Sequence, residues 1–285
     1  MSEDQNDARP GTERFDSIGR ISGATTVAAV IGDPIVGSLS PRIHNAAFTA
    51  TGLDWVYVAA TVPAGHGVAA VRAAAELGYG GLSITMPCKH EVLAACDEVT
   101  DHAAALDAVN CISFDEGRIV GANTDGEGLV RSLRDEGVDP ANAAVLLLGA
   151  GGAASAIGFA LVAVGASVTI AARRPERVRP GTATTVVSFD EAAAVAAGSS
   201  VVVNATPIGM DGTSLPLDPE AVPEGAVVVD TITQPRRTPW IAALETRGVH
   251  AVNGVGMLIG QGAVAFERWT GIPAPVDAMR AAVAD

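Results

Sequence analysis

Short β-rich apolar runs alternate with alanine-rich stretches of helical period along the whole chain, a pattern that predicts α/β architecture. The first expected strand is Val27–Ile31, ending at Gly32-Asp33-Pro34. A helix is expected from Ser40-Pro41 to Gly52, with Ser at the N-cap, Pro at the first helical position and Gly as the stop. Trp55–Val62 reads as a strand, Val68–Leu77 as a helix and Leu82–Thr85 as a strand. Ile112–Phe114 and Arg118–Gly121 flank Asp115-Glu116-Gly117, the turn of an expected hairpin.

A second pattern begins near residue 141. Ala143–Leu148 is continuously apolar, as a strand buried on both faces should be. Glycines and a helical stretch to Val164 follow, and then expected strands at Ser167–Ala171, Thr184–Val187, Val201–Asn204, Val227–Asp230 and His250–Val252. This is the outline of a doubly wound nucleotide-binding domain. Helical segments at Met257–Trp269 and Val276–Val283 close the chain.

The 285 residues suffice for about two domains. With 48% hydrophobic and 18% charged residues, the chain has enough apolar material for a sizeable core. Residues 1–24 are polar and read as a mobile tail, without the apolar stretch of a signal peptide. No apolar run reaches membrane-spanning length. A net charge of −14 argues against nucleic-acid binding, which needs a basic face. Cys88, Cys96 and Cys111 form no paired framework and fit a reducing compartment. The five histidines lack metal-ligand spacing, so no metal is expected. Of the 18 basic residues, 17 are arginine and the other is Lys89.

Gly149-Ala150-Gly151-Gly152-Ala153-Ala154 fits GxGxxA directly after a buried strand. One glycine makes the tight turn, another admits a pyrophosphate, and the following helix N-terminus offers free N–H donors. A cofactor with a free ribose 2′-hydroxyl usually calls for an acid about 20 residues later. Here Arg173, Arg174 and Arg177 follow Ala172, which favours a 2′-phosphate and hence NADP. In the first half, Ser38 and Ser40 sit at a helix start suited to a carboxylate. Thr85 and Lys89 run from a strand into a helix opened by Pro87, Asn110 opens the next strand, and Asp125 stands before the helix leading into the second half. Each of these has a plainer reading: a cap for Ser40 or Asp125, a solvated surface charge for Lys89.

Taken in order, SLSP, T-x-P-x-K, VNCI, GANTDG, GAGGAA, NATPIGM and GMLIGQGA resemble the shikimate dehydrogenase family over about residues 27–272. The resemblance implies an N-terminal α/β substrate domain, residues 25–124 plus 256–285, interrupted by a doubly wound Rossmann NADP-binding domain, residues 125–255. The C-terminal helices would return to the first domain. It implies cytoplasmic, NADP-dependent, reversible reduction of 3-dehydroshikimate to shikimate in aromatic biosynthesis, by a monomer or homodimer. By the same resemblance Lys89 and Asp125 are the catalytic pair, and Ser38 and Ser40 hold the substrate carboxylate. Ser83, Thr85, Asn110 and Gln261 should also contact the substrate. Gly149, Ala150, Gly151, Gly152, Ala153, Arg173, Arg174 and Arg177 should hold the cofactor phosphates. Asn204, Ala205, Thr206 and Pro207 should line the nicotinamide side, with Gly254 and Met257 also on the cofactor. Two positions depart from the family pattern. Ser83 stands where Asn is usual, and Thr233 where Tyr is common. They leave quinate or an amino-substituted relative of shikimate open as substrate. An NADP-binding sensor with little turnover is the rival of another class, and it has no chemical need for an amine–carboxylate pair.

Overall fold

The apolar runs of the two halves assemble into two six-stranded sheets. The structure, a computed structural model, describes residues 21–284. Most of the expected tail, residues 1–20, lies outside the described residues.

The first sheet contains β1 (Thr26–Gly32), β2 (Trp55–Thr61), β3 (Gly81–Ile84), β4 (Glu98–Val99), β5 (Cys111–Asp115) and β6 (Arg118–Ala122), in the order β2-β1-β3-β5-β6-β4. β1 pairs in parallel with β2 and β3, whereas β5 is antiparallel to both β3 and β6. The expected hairpin joins β5 to β6. Glu116 and Gly117 both have positive φ, 47° and 80°, as a two-residue type I′ turn requires. β4, only two residues long, has too little alternation to show in the sequence.

Helices α1 (Ser40–Thr51), α2 (Gly67–Glu76) and α3 (Asp101–Leu106) accompany this sheet. Alternation along β1 splits its side chains between two cores. Ala28 and Val30 join Ile43 and Phe48 of α1, and Ala29 and Ile31 join Val71 of α2. α1 begins one residue earlier than the Ser40 N-cap expectation. Leu39 is the N-cap residue, and its carbonyl accepts from Ile43 N–H at 3.2 Å. The backbone thus takes the donor that a capping Ser40 hydroxyl would use.

After α4 (Asp125–Asp135), the second sheet contains β7 (Ala144–Leu148), β8 (Ser167–Ala172), β9 (Thr185–Ser188), β10 (Val201–Asn204), β11 (Val227–Asp230) and β12 (His250–Asn253). All pairs are parallel, in the order β12-β11-β10-β7-β8-β9. This is the doubly wound order, with its topological switch between β7 and β10. Val145 and Leu147 pack with Leu129 of α4 and Ile157 of α5 (Gly152–Ala163). Leu146 and Leu148 face α6 (Ala192–Ala196) and α7 (Pro239–Thr246), where Trp240 and Leu244 are fully buried.

α8 (Val255–Thr270) ties the two halves together. Its first turn places Met257 in the core of the second sheet. Ile259, Ala263 and Phe266 lie in the core of the first, with Met279 of α9 (Val276–Ala281). α8 can lie against α4 because both are glycine there. A Cβ on Gly260 would stand 2.4 Å from the Gly128 carbonyl oxygen, and one on Gly128 would stand 2.5 Å from Gln261 N. Neither neighbour is a flexible side-chain end, so the helices would have to part. Gly128→Ala is therefore expected to cost about 1–3 kcal/mol in a urea unfolding experiment. Unchanged stability would show that the helices separate freely.

Candidate active site

A cavity of about 420 Å³ opens where β1 and β3 end. The loop after β1 and the start of α1 supply Ser38 and Ser40, β3 and its continuation supply Ser83, Thr85 and Lys89, and Asn110 enters just before β5. Asp125 comes from the start of α4, and Met257 and Gln261 come from α8. Thr231 and Thr233 of the loop after β11 close one side together with Gly254.

The lysine and the acid meet there. Lys89 Nζ lies 2.5 Å from Asp125 Oδ2, and the two side chains are 29% and 15% exposed. Water screens such a partly buried pair less than a surface pair. Asn110 holds the acid in place: its Nδ2 donates to Asp125 Oδ1 at 2.7 Å, while its Oδ1 accepts from Thr124 N–H at 2.7 Å. The Lys89 carbonyl accepts from Val109 N–H at 2.8 Å, so the backbones carrying Lys89 and Asn110 are tied together next to the site. The N-cap residues are Leu39 and Thr124, and the Asp125 carboxylate oxygens are engaged by Lys89 and Asn110. The plain capping readings are thus not realised, and Ser40, though only 6% exposed, keeps its hydroxyl for the cavity.

A second cavity, about 320 Å³, opens at the C-terminal ends of β7, β8 and β10. Gly149, Ala150 and Gly151 form one wall, and Arg173, Arg174 and Arg177 another. Ala205, Thr206 and Pro207 line it further, joined by Ile208 and Phe189. Among the described residues, no carboxylate belongs to its lining. Gly152 and Ala153 are exposed in the first turn of α5, where helix N–H groups lack helical acceptors. This donor set fits a dinucleotide with a 2′-phosphate: backbone donors for the pyrophosphate, guanidinium groups for the extra phosphate.

Three residues of the expected cofactor set lie outside the lining of the arginine cavity. Asn204 does not line the cofactor cavity. It is fully buried, and its side chain donates to the Ile208 carbonyl and Asp230 Oδ1 and accepts from Thr206 N–H and Oγ1. It shapes the loop whose other members line the cavity. Gly254 and Met257 line the Lys89 cavity instead of the arginine cavity, because α8 starts there on its way back to the first sheet.

Sequence reading missed Asp230, which Thr238 Oγ1, Asn204 Nδ2 and Ile232 N–H contact at 2.7, 3.0 and 3.3 Å. Burial raises its carboxyl above the ordinary pKa against the pull of these donors. Through Asn204 it couples the loop lining one cavity to the loop lining the other. An aspartate at a strand end in DTIT was the available signal. Phe189, in the 3-10 turn after β9, carried none.

One turn after Ser40, His44 is completely buried, and neither ring nitrogen has a hydrogen-bond partner among the described residues. It stacks on Tyr57 at 4.3 Å and lies 5.0 Å from Trp269. Burial pushes its pKa from 6.5 down to about 3, so folded His44 stays neutral while the unfolded chain protonates. Between these values the unfolded state binds more protons. His44 therefore makes stability fall as pH drops from about 6.5 toward about 3, by up to about 1.4 kcal/mol per pH unit. His44→Leu is expected to flatten that slope in urea unfolding at about pH 7.5 and about pH 4.5. Equal losses in both proteins would remove His44 as the cause.

Residues 30–112 match the model of the shikimate dehydrogenase substrate binding domain, and residues 254–284 match that of the shikimate 5′-dehydrogenase C-terminal domain. A shikimate dehydrogenase (NADP(+)) of Methanopyrus kandleri is 40% identical over 279 residues, covering 92% of this chain and 96% of the relative. The chain belongs to the shikimate dehydrogenase family. Among solved structures, shikimate 5-dehydrogenase from Thermus thermophilus, in complex with NADP(H) and shikimate, superposes with a TM-score of 0.83 at 32% identity, covering 90% of this chain and 98% of that one. Quinate dehydrogenase from Corynebacterium glutamicum, in complex with NAD, gives 0.82 at 29% identity, with 90% and 98% covered. As a member of the shikimate dehydrogenase family, the chain joins a substrate fold to a doubly wound nucleotide fold. Among the described residues, no helix is long and apolar enough to cross a membrane, and no group of three or more His, Cys, Asp or Glu is placed to hold a metal ion.

Proposed function

We propose that this protein catalyses the reversible NADP-dependent interconversion of shikimate and 3-dehydroshikimate, with Lys89 and Asp125 as its acid–base pair. The observation that carries the reading is the Lys89 Nζ–Asp125 Oδ2 contact at 2.5 Å on the wall of a cavity shared with Ser38 and Ser40. When bound, the nicotinamide supplies or accepts the hydride.

The chain's own residues have to move a proton and hold the ring. Oxidising a secondary alcohol to a ketone releases the hydroxyl proton, and the reverse reaction needs a donor at the developing alkoxide. An amine hydrogen-bonded to that oxygen serves both directions. A guanidinium does not, because it stays protonated in proteins. Asp125 orients the amine and balances its charge, and Asn110 fixes Asp125. The hydroxyls of Ser38 and Ser40, side by side at the start of α1, hold the substrate carboxylate. With a net charge of −14, capture of an anion must come from such local groups. Ser83, Thr85 and Gln261 complete the fit to the ring hydroxyls, and Met257 packs near the reaction centre. Fixing the ring in this way positions the carbinol carbon for transfer.

A second reading, quinate as the preferred acid, draws on Ser83 and Thr233, which both line the cavity where the family usually carries Asn and Tyr. A missing hydrogen-bond partner can shift discrimination strongly when buried polar groups are left unpaired. Steady-state kcat/KM for shikimate and quinate, each with NADP and NAD, separates the readings. Shikimate with NADP is expected to give the highest of the four values. A quinate preference would favour the second reading, and turnover of neither acid would overturn both.

A further inference from the structure

Ser83 is backed by a residue that no sequence motif marked. The Tyr57 side chain is 2% exposed, and its hydroxyl has Ser83 Oγ, at 2.7 Å, as its hydrogen-bond partner among the described residues. Each hydroxyl carries one proton, and their mutual bond uses one of the two. If Ser83 donated, the Tyr57 proton would be buried without an acceptor, an arrangement that folded proteins avoid. Tyr57 therefore donates. The Ser83 proton has no acceptor among the described residues and is turned away from Tyr57, on a residue that lines the Lys89 cavity.

Tyr57 is held firmly enough to impose this direction. Asn45 brackets its backbone: Tyr57 N–H donates to Asn45 Oδ1 at 2.8 Å, and Asn45 Nδ2 donates to the Tyr57 carbonyl at 2.9 Å. His44 stacks on the Tyr57 ring with 13° between planes, and Trp269 lies against it at 6.0 Å. Trp269 is itself anchored by its indole N–H donating to the Ile112 carbonyl at 2.9 Å. His44 and Asn45 share α1 with Ser40, so one helix carries both a cavity hydroxyl and the clamp on Tyr57.

We infer that Tyr57 is a positioning residue that fixes Ser83 as a hydrogen-bond donor into the cavity, so that this wall selects a substrate oxygen able to accept over a donor-only ammonium group. The inference rests on the proposed binding of a cyclic polyol acid in this cavity. It narrows the range of acids: an analogue carrying an ammonium group against Ser83 would leave the Ser83 proton unpaired.

Kinetics of Tyr57→Phe, Ser83→Ala and the double variant test it. Tyr57→Phe is expected to raise KM for shikimate about fivefold while kcat and KM for NADP stay within about twofold, the split expected when uniform binding is lost. The double variant should match Ser83→Ala alone, because Tyr57 acts through Ser83. An unchanged KM in Tyr57→Phe overturns the assignment, and so does a Tyr57→Phe effect that persists in full on top of Ser83→Ala. NADP affinity measured on each variant identifies any that misfold, and Ser83→Ala with Tyr57 intact still reads the donor role of Ser83 if Tyr57→Phe is lost. Wild-type protein inactive on both acids would overturn the functional reading instead, a result distinct from an active wild type that Tyr57→Phe equals.

Discussion

Replacing Lys89 by alanine is expected to lower kcat by about a hundredfold or more and to leave NADP affinity unchanged. The size follows from what the amine does. Without it, the substrate oxygen has no proton donor or acceptor held in place, and unpositioned water must substitute. NADP affinity is spared because Lys89 lines the cavity of the first sheet, whereas the glycine loop and the arginines line the other. Lys89→Arg sharpens the test. It keeps a cation beside Asp125 but removes a group that can give up its proton. Recovery of turnover in Lys89→Arg would mean that the position supplies charge alone. Loss in both variants, with NADP still bound, assigns proton transfer to the amine.

Arg173→Ala combined with Arg177→Ala is expected to weaken NADP binding by roughly a hundredfold and NAD binding by only a few-fold. Each guanidinium contributes charge-assisted hydrogen bonds to a phosphate worth about 1.5–3 kcal/mol, and NAD has no phosphate at that position. Both arginines, with Arg174, line the cavity at the end of β8, and no carboxylate among the described residues is there to favour a free ribose hydroxyl. The pyrophosphate should still find the N-terminus of α5, which the substitutions do not touch. Fluorescence titration of each cofactor reads the difference. Equal losses for the two would reduce the arginines to solvated surface charges.

Much of this arrangement was legible in the sequence, for a physical reason. Parallel strands buried on both faces leave continuous apolar runs, and β7, β10 and β11 stand out accordingly. The glycine loop had to follow a strand and open a helix, and it does, at Gly151 and Gly152. Asp125 and Lys89 were individually ambiguous, because a cap and a surface charge look the same in one dimension. Only the tertiary contact at 2.5 Å separates the readings. What stayed hidden depends on neighbours far away in the chain. Asn204 looked like a cavity residue because it sits in a cavity motif, yet its four hydrogen bonds turn inward, to Asp230 and to its own loop. Tyr57 looked like any strand aromatic, and its link to Ser83 spans 26 positions. The glycine contact between α4 and α8 joins residues from distant parts of the chain, and no local pattern announces it.

The central claim is that one amine, on an otherwise arginine-only basic inventory, works with the arginine-lined cavity in a single reaction. It is tested most directly by mixing purified protein with shikimate and NADP and following reduced nicotinamide by its absorbance, with Lys89→Ala protein in parallel. The wild type is expected to form NADPH in step with 3-dehydroshikimate, and the variant to do so at about one-hundredth of the rate or less. No NADPH from the wild type, or equal rates from the two proteins, would contradict the account.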